Sequence, residues 1–407
     1  MKILQVNKFN YRRGGAEKYF LDIVSALEDA GHVVALFSMH HPNNHPSSWE
    51  KYFVSNLDFR KNNFWDLFFI PGRIIYSLEA RRKFAKLLDD FQPDIIHLHN
   101  IYHQISPSIL GPAKKRKIPV VMHLHDYKLF CPNYKLYTKN SFCEKCQNGK
   151  YSQCLKYRCL DNSFFRSFIA SLEMWVHHHL FKFYEKGVDL FISPSLFAKK
   201  EAIKFSWPAE KITVLTNFVD RLSDQPEKKE SYLFCYGRLS EEKGIDLLIK
   251  AMSQVPDLSL KIAGIGLADD QLRALVKKMK LSDRIEFVGF KSGIELQGLI
   301  SRASAVVIPS RWPENMPFTM LESLGSGTPV IASRVGGLAE IIQDGKNGFL
   351  FEAENVQDLA LKINTLATLP QDIAAITIES VRQFSLKNHL EALVKIYHQV
   401  LNQKTPR

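Results

Sequence analysis

Several things are scarce in this chain of 407 residues, and each scarcity removes a class of protein. No apolar run reaches the roughly 18 residues that a membrane-spanning helix needs. The richest stretch, Phe64 to Ile75, is broken by Asp66, Pro71 and Arg73. The N-terminus passes from Met1-Lys2 into a short apolar stretch ending at Val6, without the basic, long apolar and small-residue regions of a secretory leader, so the chain reads as cytoplasmic. No glycine run has the GxGxxG spacing, and no acidic residue ends the second expected strand, which argues against a dinucleotide fold. No nucleic-acid-binding module is recognisable, and no nucleic-acid partner is expected. Cysteine is nearly confined to one patch: of six, only Cys235 lies outside residues 131–159.

What is present is an ordinary globular mixture, 45% apolar and 24% charged, too long for a single core of usual size. Two domains are the default. The formal charge of +12 falls wholly in the first half: residues 1–218 hold 31 Lys and Arg against 19 Asp and Glu, and the remainder 23 against 23. A basic half of this kind suits an acidic or phosphorylated partner, an anionic lipid surface or a lipid-linked diphosphate among them.

Short β-branched runs alternate with helical periods, the pattern of parallel sheets with crossover helices. Strands are expected at Ile3–Val6, Val33–Phe37, Ile95–Leu98, Val120–Leu124, Leu190–Ile192 and Ile212–Leu215. After a polar stretch from Arg221 to Lys229 a second series follows: Leu233–Tyr236, Leu260–Ala263, Ile285–Val288, Ala305–Ile308, Val330–Ala332 and Gly348–Phe351. The halves look like two copies of one α/β architecture, residues 1–218 and 219–384. A final helix at 385–407 is expected to cross back to the first domain.

Doubly wound sheets bind ligands beyond the carboxyl ends of their strands, so the residues after each strand carry the chemistry. Gly14-Gly15 opens a helix after the first strand, where backbone N–H groups suit a phosphate. His123-Leu-His125-Asp126 follows the fourth, and only His125, at the strand end, could reach a cleft. In the second half, Gly237-Arg238-Leu239-Ser240-Glu241-Glu242-Lys243-Gly244 places a guanidinium and an ammonium at a strand end, a cationic clamp for a diphosphate. Pro309 to Glu322 contains two glutamates eight positions apart, Glu314 in a loop and Glu322 in the following helix. Together they could hold hydroxyls of two sugars of one ligand.

With these motifs on the page, the sequence resembles the retaining glycosyltransferases of family 4, which have the GT-B fold: two Rossmann-like domains facing each other across a cleft. Glu314-x7-Glu322, the run from 237 to 244, Gly14-Gly15, His125-Asp126, Gly264-x-Gly266 and Val335-Gly336-Gly337-Leu338-x-Glu340 stand in family order. The resemblance implies that Arg238 and Lys243 bind the donor diphosphate and stabilise the leaving nucleotide, so that catalysis requires no metal or other cofactor. It implies that Glu322 holds the ribose and Glu314 the donor sugar, with the backbone of Asn315, Met316, Pro317 and Phe318 beside them. Gly264 and Gly266 would line the donor site, Gly15 would lie near the diphosphate or acceptor, and His125 near the anomeric carbon. The partners implied are a UDP- or GDP-sugar donor and a lipid-linked or polysaccharide acceptor of cell-surface glycan synthesis. Asn315-Met316-Pro317 and Leu267 depart from the common pattern and bear on the choice of sugar.

Cys131, Cys143, Cys146, Cys154 and Cys159 are ligands enough for a structural zinc, and equally could be buried unligated thiols. Phe64 to Ile70, followed by Arg73, Arg81, Arg82, Lys83 and Lys86, could rest on an anionic membrane at its inner face, or form core. Two competing functions keep the fold: a sugar-nucleotide epimerase or isomerase, and a non-catalytic homologue.

Overall fold

A computed structural model describes residues 1–57, 72–223 and 227–404. The chain divides into two compact units: Met1–Thr138, Cys143–Leu215 and Leu390–Arg407 in the first, Lys139–Phe142 and Thr216–His389 in the second. Part of the polar 221–229 stretch and the Phe64 to Ile70 segment fall outside the described residues.

The first unit is built on six strands: β1 (Lys2–Val6), β2 (Val33–Phe37), β3 (Ile95–Leu98), β4 (Val120–His123), β5 (Leu190–Ser193) and β6 (Ile212–Val214). They form one parallel sheet in the order β2-β1-β3-β4-β5-β6. The second unit repeats the plan with β7 (Glu230–Tyr236), β8 (Ser259–Ala263), β9 (Ile285–Gly289), β10 (Ala303–Ile308), β11 (Val330–Ser333) and β12 (Gly348–Phe351). Its order is β9-β8-β7-β10-β11-β12, again parallel. Each is a Rossmann-like α/β sheet, and all twelve expected strands are present.

Strands covered on both faces must be apolar throughout rather than alternating. All four residues of β4, β11 and β12 are accordingly buried. Around the first sheet pack helices α1 (Gly15–Asp29) and α2 (Leu78–Phe91). In α1, of the apolar residues spaced for one helix face (Ala16, Phe20, Ile23, Val24 and Leu27), all but the partly covered Ala16 are buried, and Tyr19 and Glu17 join them. Helix α3 (Phe164–Trp175) belongs to the same unit, and α4 (Phe318–Gly325) to the second. Helix α5 (Leu386–Lys404) begins in the second unit; from Leu390 it packs with the first, burying Leu393, Ile396, Tyr397 and Val400.

Candidate active site

The strand orders place two switch points, one in each sheet, where neighbouring strands send their connections to opposite faces. Ligands of such sheets bind there. In the second unit the switch lies between β7 and β10, so the loops carrying Arg238 to Lys243 and Pro309 to Asn315 emerge side by side.

These loops meet on Glu314. Its Oε1 receives Lys243 Nζ at 2.6 Å, Ser310 Oγ at 2.6 Å and Trp312 Nε1 at 2.8 Å. Three donors hold the carboxylate as an oriented anion while its side chain is 6% exposed. Among the described residues Oε2 has no protein partner, so an acceptor remains for a ligand hydroxyl. Lys243 also lies 5.5 Å from the centroid of the Trp312 ring. Arg238 reaches outward: its guanidinium is about half exposed and contacts Glu242 at 2.8 Å. In α4, Glu322 Oε2 accepts the phenol hydrogen of Tyr236 at 3.1 Å, which ties the helical carboxylate to the end of β7.

Glycine lets the loops approach. Gly264 has φ +143°, and a Cβ there would stand 1.8 Å from the carbonyl oxygen of Gly237; one on Gly266 would stand 2.0 Å from that of Leu239. These two glycines therefore position the loop that carries Arg238. Gly336, at φ +57°, does the same for Glu314: its Cβ would meet the Glu314 carbonyl oxygen at 2.1 Å, and the neighbouring Gly337 N–H donates to that oxygen at 2.7 Å. Met316 is a core residue, 3% exposed, whose carbonyl accepts from Asn217 Nδ2 at 2.8 Å. Phe318 is likewise buried, its ring 5.5 Å from that of Phe218. Of this stretch Asn315 and Pro317 keep partly open side chains, and α4 starts at Pro317 without a side-chain cap.

In the first unit the switch lies between β1 and β3. Gly14 and Gly15 are exposed there, and a Cβ on Gly14 would meet nothing closer than Glu17 Oε2 at 3.5 Å. Neither φ nor packing asks for glycine at 14. His125 sits at the end of a hydrogen-bonded chain that sequence reading missed. His99 Nε2 lies 2.8 Å from Gln5 Oε1, an oxygen that can only accept, so Nε2 carries the hydrogen. Burial, with His97 and His125 nearby, keeps His99 well below the usual imidazole range and hence neutral. Its Nδ1 therefore accepts, and His125 Nε2, 2.9 Å away, donates. Gln5 Nε2 donates to Tyr397 Oη at 3.3 Å, and that hydroxyl hydrogen-bonds with His97 Nδ1 at 2.7 Å. His125 is thus held as the Nε2–H tautomer with Nδ1 left as an acceptor, and burial together with Lys8 pushes it down to about 3. The Tyr19 ring, 5.2 Å from His125 and 4.3 Å from His123, packs beside it.

The five clustered cysteines do line one small cavity, with Phe205 and Leu136. Of the two readings of the patch, a structural zinc or buried unligated thiols, the geometry is closer to the second: among the described residues no group of three or more His, Cys, Asp or Glu stands where it could hold a metal ion. Cys131 is a neutral thiol that donates to Asn133 Oδ1 at 2.9 Å, and burial pushes it up to about 12. The basic helix expected to face a membrane is partly structural as well. Arg73 bonds Ser55 and Lys83 the carbonyl of Phe53, leaving Arg81, Arg82 and Lys86 exposed.

The model of Glycosyltransferase Family 4 matches residues 13–221, and that of the Glycosyl transferases group 1 matches 219–384. The chain belongs to glycosyltransferase family 4. An uncharacterized glycosyltransferase of Methanocaldococcus jannaschii, MJ1178, is 31% identical over 98% of this chain and 99% of its own. An uncharacterized 42.6 kDa protein of the cps region of Klebsiella pneumoniae is 25% identical over 88% of this chain and 91% of its own. The crystal structure of Anabaena Alr3699/HepE in complex with UDP and glucose superimposes with a TM-score of 0.70 at 19% identity, covering 98% of this chain and all of that one. The family 4 enzyme described here is therefore a glycosyltransferase with the GT-B fold. Among its described residues no helix is long and apolar enough to cross a membrane.

Proposed function

We infer that this glycosyltransferase moves a sugar from a nucleotide-sugar donor to a lipid-linked or polysaccharide acceptor, with retention of the anomeric configuration. The observation that carries the reading is the convergence of Lys243, Ser310 and Trp312 on Glu314 at the switch point of the second sheet. Cations and an oriented carboxylate held there suit a ligand that is anionic at one part and hydroxylated at another. Arg238 and Lys243 take the diphosphate and stabilise the charge growing on the leaving nucleotide, the work a metal does in other enzymes. Glu314 orients the donor sugar, Glu322 the ribose, and the start of α4 faces diphosphate oxygens. In the first unit, His125 stays neutral with Nδ1 able to accept a hydrogen bond, and the small Gly14-Gly15 pair leaves the start of α1 open to a phosphate or an acceptor. Structures of similar fold contain UDP, including the HepE complex and a pneumococcal O-GlcNAc transferase, so UDP is the nucleotide to try first. Relatives named as putative colanic acid biosynthesis glycosyltransferases support a polysaccharide acceptor.

The test is turnover: UDP- and GDP-sugars are incubated with membrane lipid extracts, nucleotide release is followed, and the product's anomeric proton coupling is read by NMR. An α-linked product from an α-linked donor supports the reading. An inverted product, or conversion of the sugar nucleotide without an acceptor, overturns it.

A further inference from the structure

Helix α3 is built inside out. Its inward side carries Ser167, Ser171 and Glu173 along with Ala170 and Met174. Glu173 is an anion there: burial alone would raise its carboxyl, but His103 at 3.1 Å and Lys128 at 2.8 Å hold it far below the usual range. The outward side carries Phe164, Phe165, Phe168, Leu172 and Trp175, each between 38 and 59% exposed. At about 100° per residue these five fall within roughly a 100° arc, and the buried residues all lie outside it. A helix on a water-facing surface shows the reverse arrangement. The stripe continues past the helix into Leu180 and Phe181, 55% and 48% exposed. Single exposed apolar side chains are ordinary, but a contiguous aromatic stripe marks a surface that meets something other than water.

The charges around the stripe say what that is. Lys156 and Arg158 precede the helix and Lys182 and Lys186 follow it, all exposed. The acidic groups of the same stretch are spoken for: Glu173 is buried, Glu185 meets His178 at 2.8 Å, and Asp161 meets Arg166 at 2.5 Å. The whole cationic excess of the chain also lies in residues 1–218. An aromatic face too short to span a bilayer, with Trp175 at one end and cationic side chains before and after it, matches the physics of an interfacial helix: rings among the acyl chains near the headgroups, cations against lipid phosphates.

We propose that α3 and the residues to Phe181 form a docking surface that lies in the headgroup layer of an anionic lipid bilayer. The proposal goes beyond the transfer reading and stands apart from it, since binding is measured with no sugar donor present. Aromatics on the helix bury in the bilayer, and the flanking cations select anionic lipid. Docking would bring the enzyme to a lipid-linked acceptor.

The test is flotation of the full chain with vesicles of phosphatidylcholine, with and without phosphatidylglycerol. The protein floats with the anionic vesicles, less so as salt rises. The variant Phe165→Ser/Phe168→Ser/Trp175→Ser lowers the partition coefficient about 100-fold while it stays folded by circular dichroism, because about half of each of these side chains points outward. Lys156→Glu/Arg158→Glu/Lys182→Glu removes the preference for phosphatidylglycerol. No flotation of the parent chain, or equal flotation of the serine variant, overturns the proposal. So does a parent dimer that the serine variant dissociates while neither protein binds vesicles, which would give the face to a second copy of the chain.

Discussion

The ammonium of Lys243 stands 2.6 Å from the carboxylate of Glu314, 71 positions along the chain, and a Cβ on Gly336 would meet the same glutamate's backbone. Cation, anion and turn are one device: the carboxylate is aimed by the groups around it, and the cation is held where a diphosphate would share it. Removal of the cation leaves a nearly buried carboxylate with two neutral donors. Lys243→Met should lower kcat/KM by about 10²–10³-fold and lower the melting temperature. Glu314→Gln should lower activity comparably, and the double variant should regain melting temperature relative to Lys243→Met. The check is a double-mutant cycle; additive effects on both activity and stability would separate the two residues.

Tyr397→Phe removes the hydroxyl that accepts from Gln5 and hydrogen-bonds with His97 in a buried network. A cost of about 1–3 kcal/mol in stability is expected from the stranded groups. The more telling readout is tautomeric. In the parent enzyme the ¹⁵N shifts of His125 should report a hydrogen on Nε2; in Tyr397→Phe the amide of Gln5 loses the partner that orients it, and mixed tautomers should appear. An unchanged His125 spectrum would show that the chain of hydrogen bonds ends at His99.

Buried histidines set a pH dependence. Burial pushes His389 and His177 down to about 4 and His125 to about 3, against 6.5 for each in an unfolded chain. Between those values the unfolded state binds protons that the folded state refuses, so stability is full above about pH 6.5 and falls as pH drops toward 4, by roughly 1.4 kcal/mol per pH unit for each histidine. Glu17 and Asp126, whose carboxyls burial raises, work in the opposite direction, so the comparison is between variant and parent. His389→Gln should flatten the decline of melting temperature between pH 6.5 and 4.5 by about one proton's worth. A parallel decline would place the proton uptake elsewhere.

The glycines divide into two kinds. Gly264→Ala and Gly336→Ala put a methyl against backbone at a positive φ and should cost at least about 2 kcal/mol in denaturant unfolding. Gly14→Ala adds a methyl that meets only Glu17 Oε2, at an ordinary contact distance of 3.5 Å, and should cost under about 1 kcal/mol, while impairing turnover if ligand approaches the α1 start. Equal destabilisation at all three would remove the distinction.

Much of this was legible in the sequence because parallel strands covered on both faces read as apolar runs, and each strand's length followed from its run. Differences were confined to ends: β4 is one residue shorter than expected and ends at His123, although Leu124 N–H still donates to the Ile192 carbonyl of β5. The placement of Lys243 and Glu314 at neighbouring strand ends, and of Gly264, Gly266 and Gly336 at close turns, was readable because each is local. The missed members of the site are not. Gln5 and Tyr397 are 392 positions apart, and nothing local marks either as a partner of His99. Ser310 and Trp312 stand immediately before Glu314, and could have been read as its donors from their short reach alone. Cysteine spacing said that thiols would gather but not how their sulfurs would be arranged. The outward aromatics of α3 carry a clear helical period, which points to a buried face only when the other side is polar and exposed; here the polar side is the buried one.

The central claim is that the second unit binds the nucleotide of a sugar donor through Arg238, Lys243, Glu314 and Glu322. Thermal-shift titration with UDP, GDP and ADP tests it most directly, because a ligand that binds only the folded chain raises its melting temperature. The account predicts stabilisation by one of these nucleotides, UDP first, that is lost in both Arg238→Ala and Glu322→Ala while each variant stays folded. Absence of a shift with every nucleotide, or a shift that survives both substitutions, would contradict it.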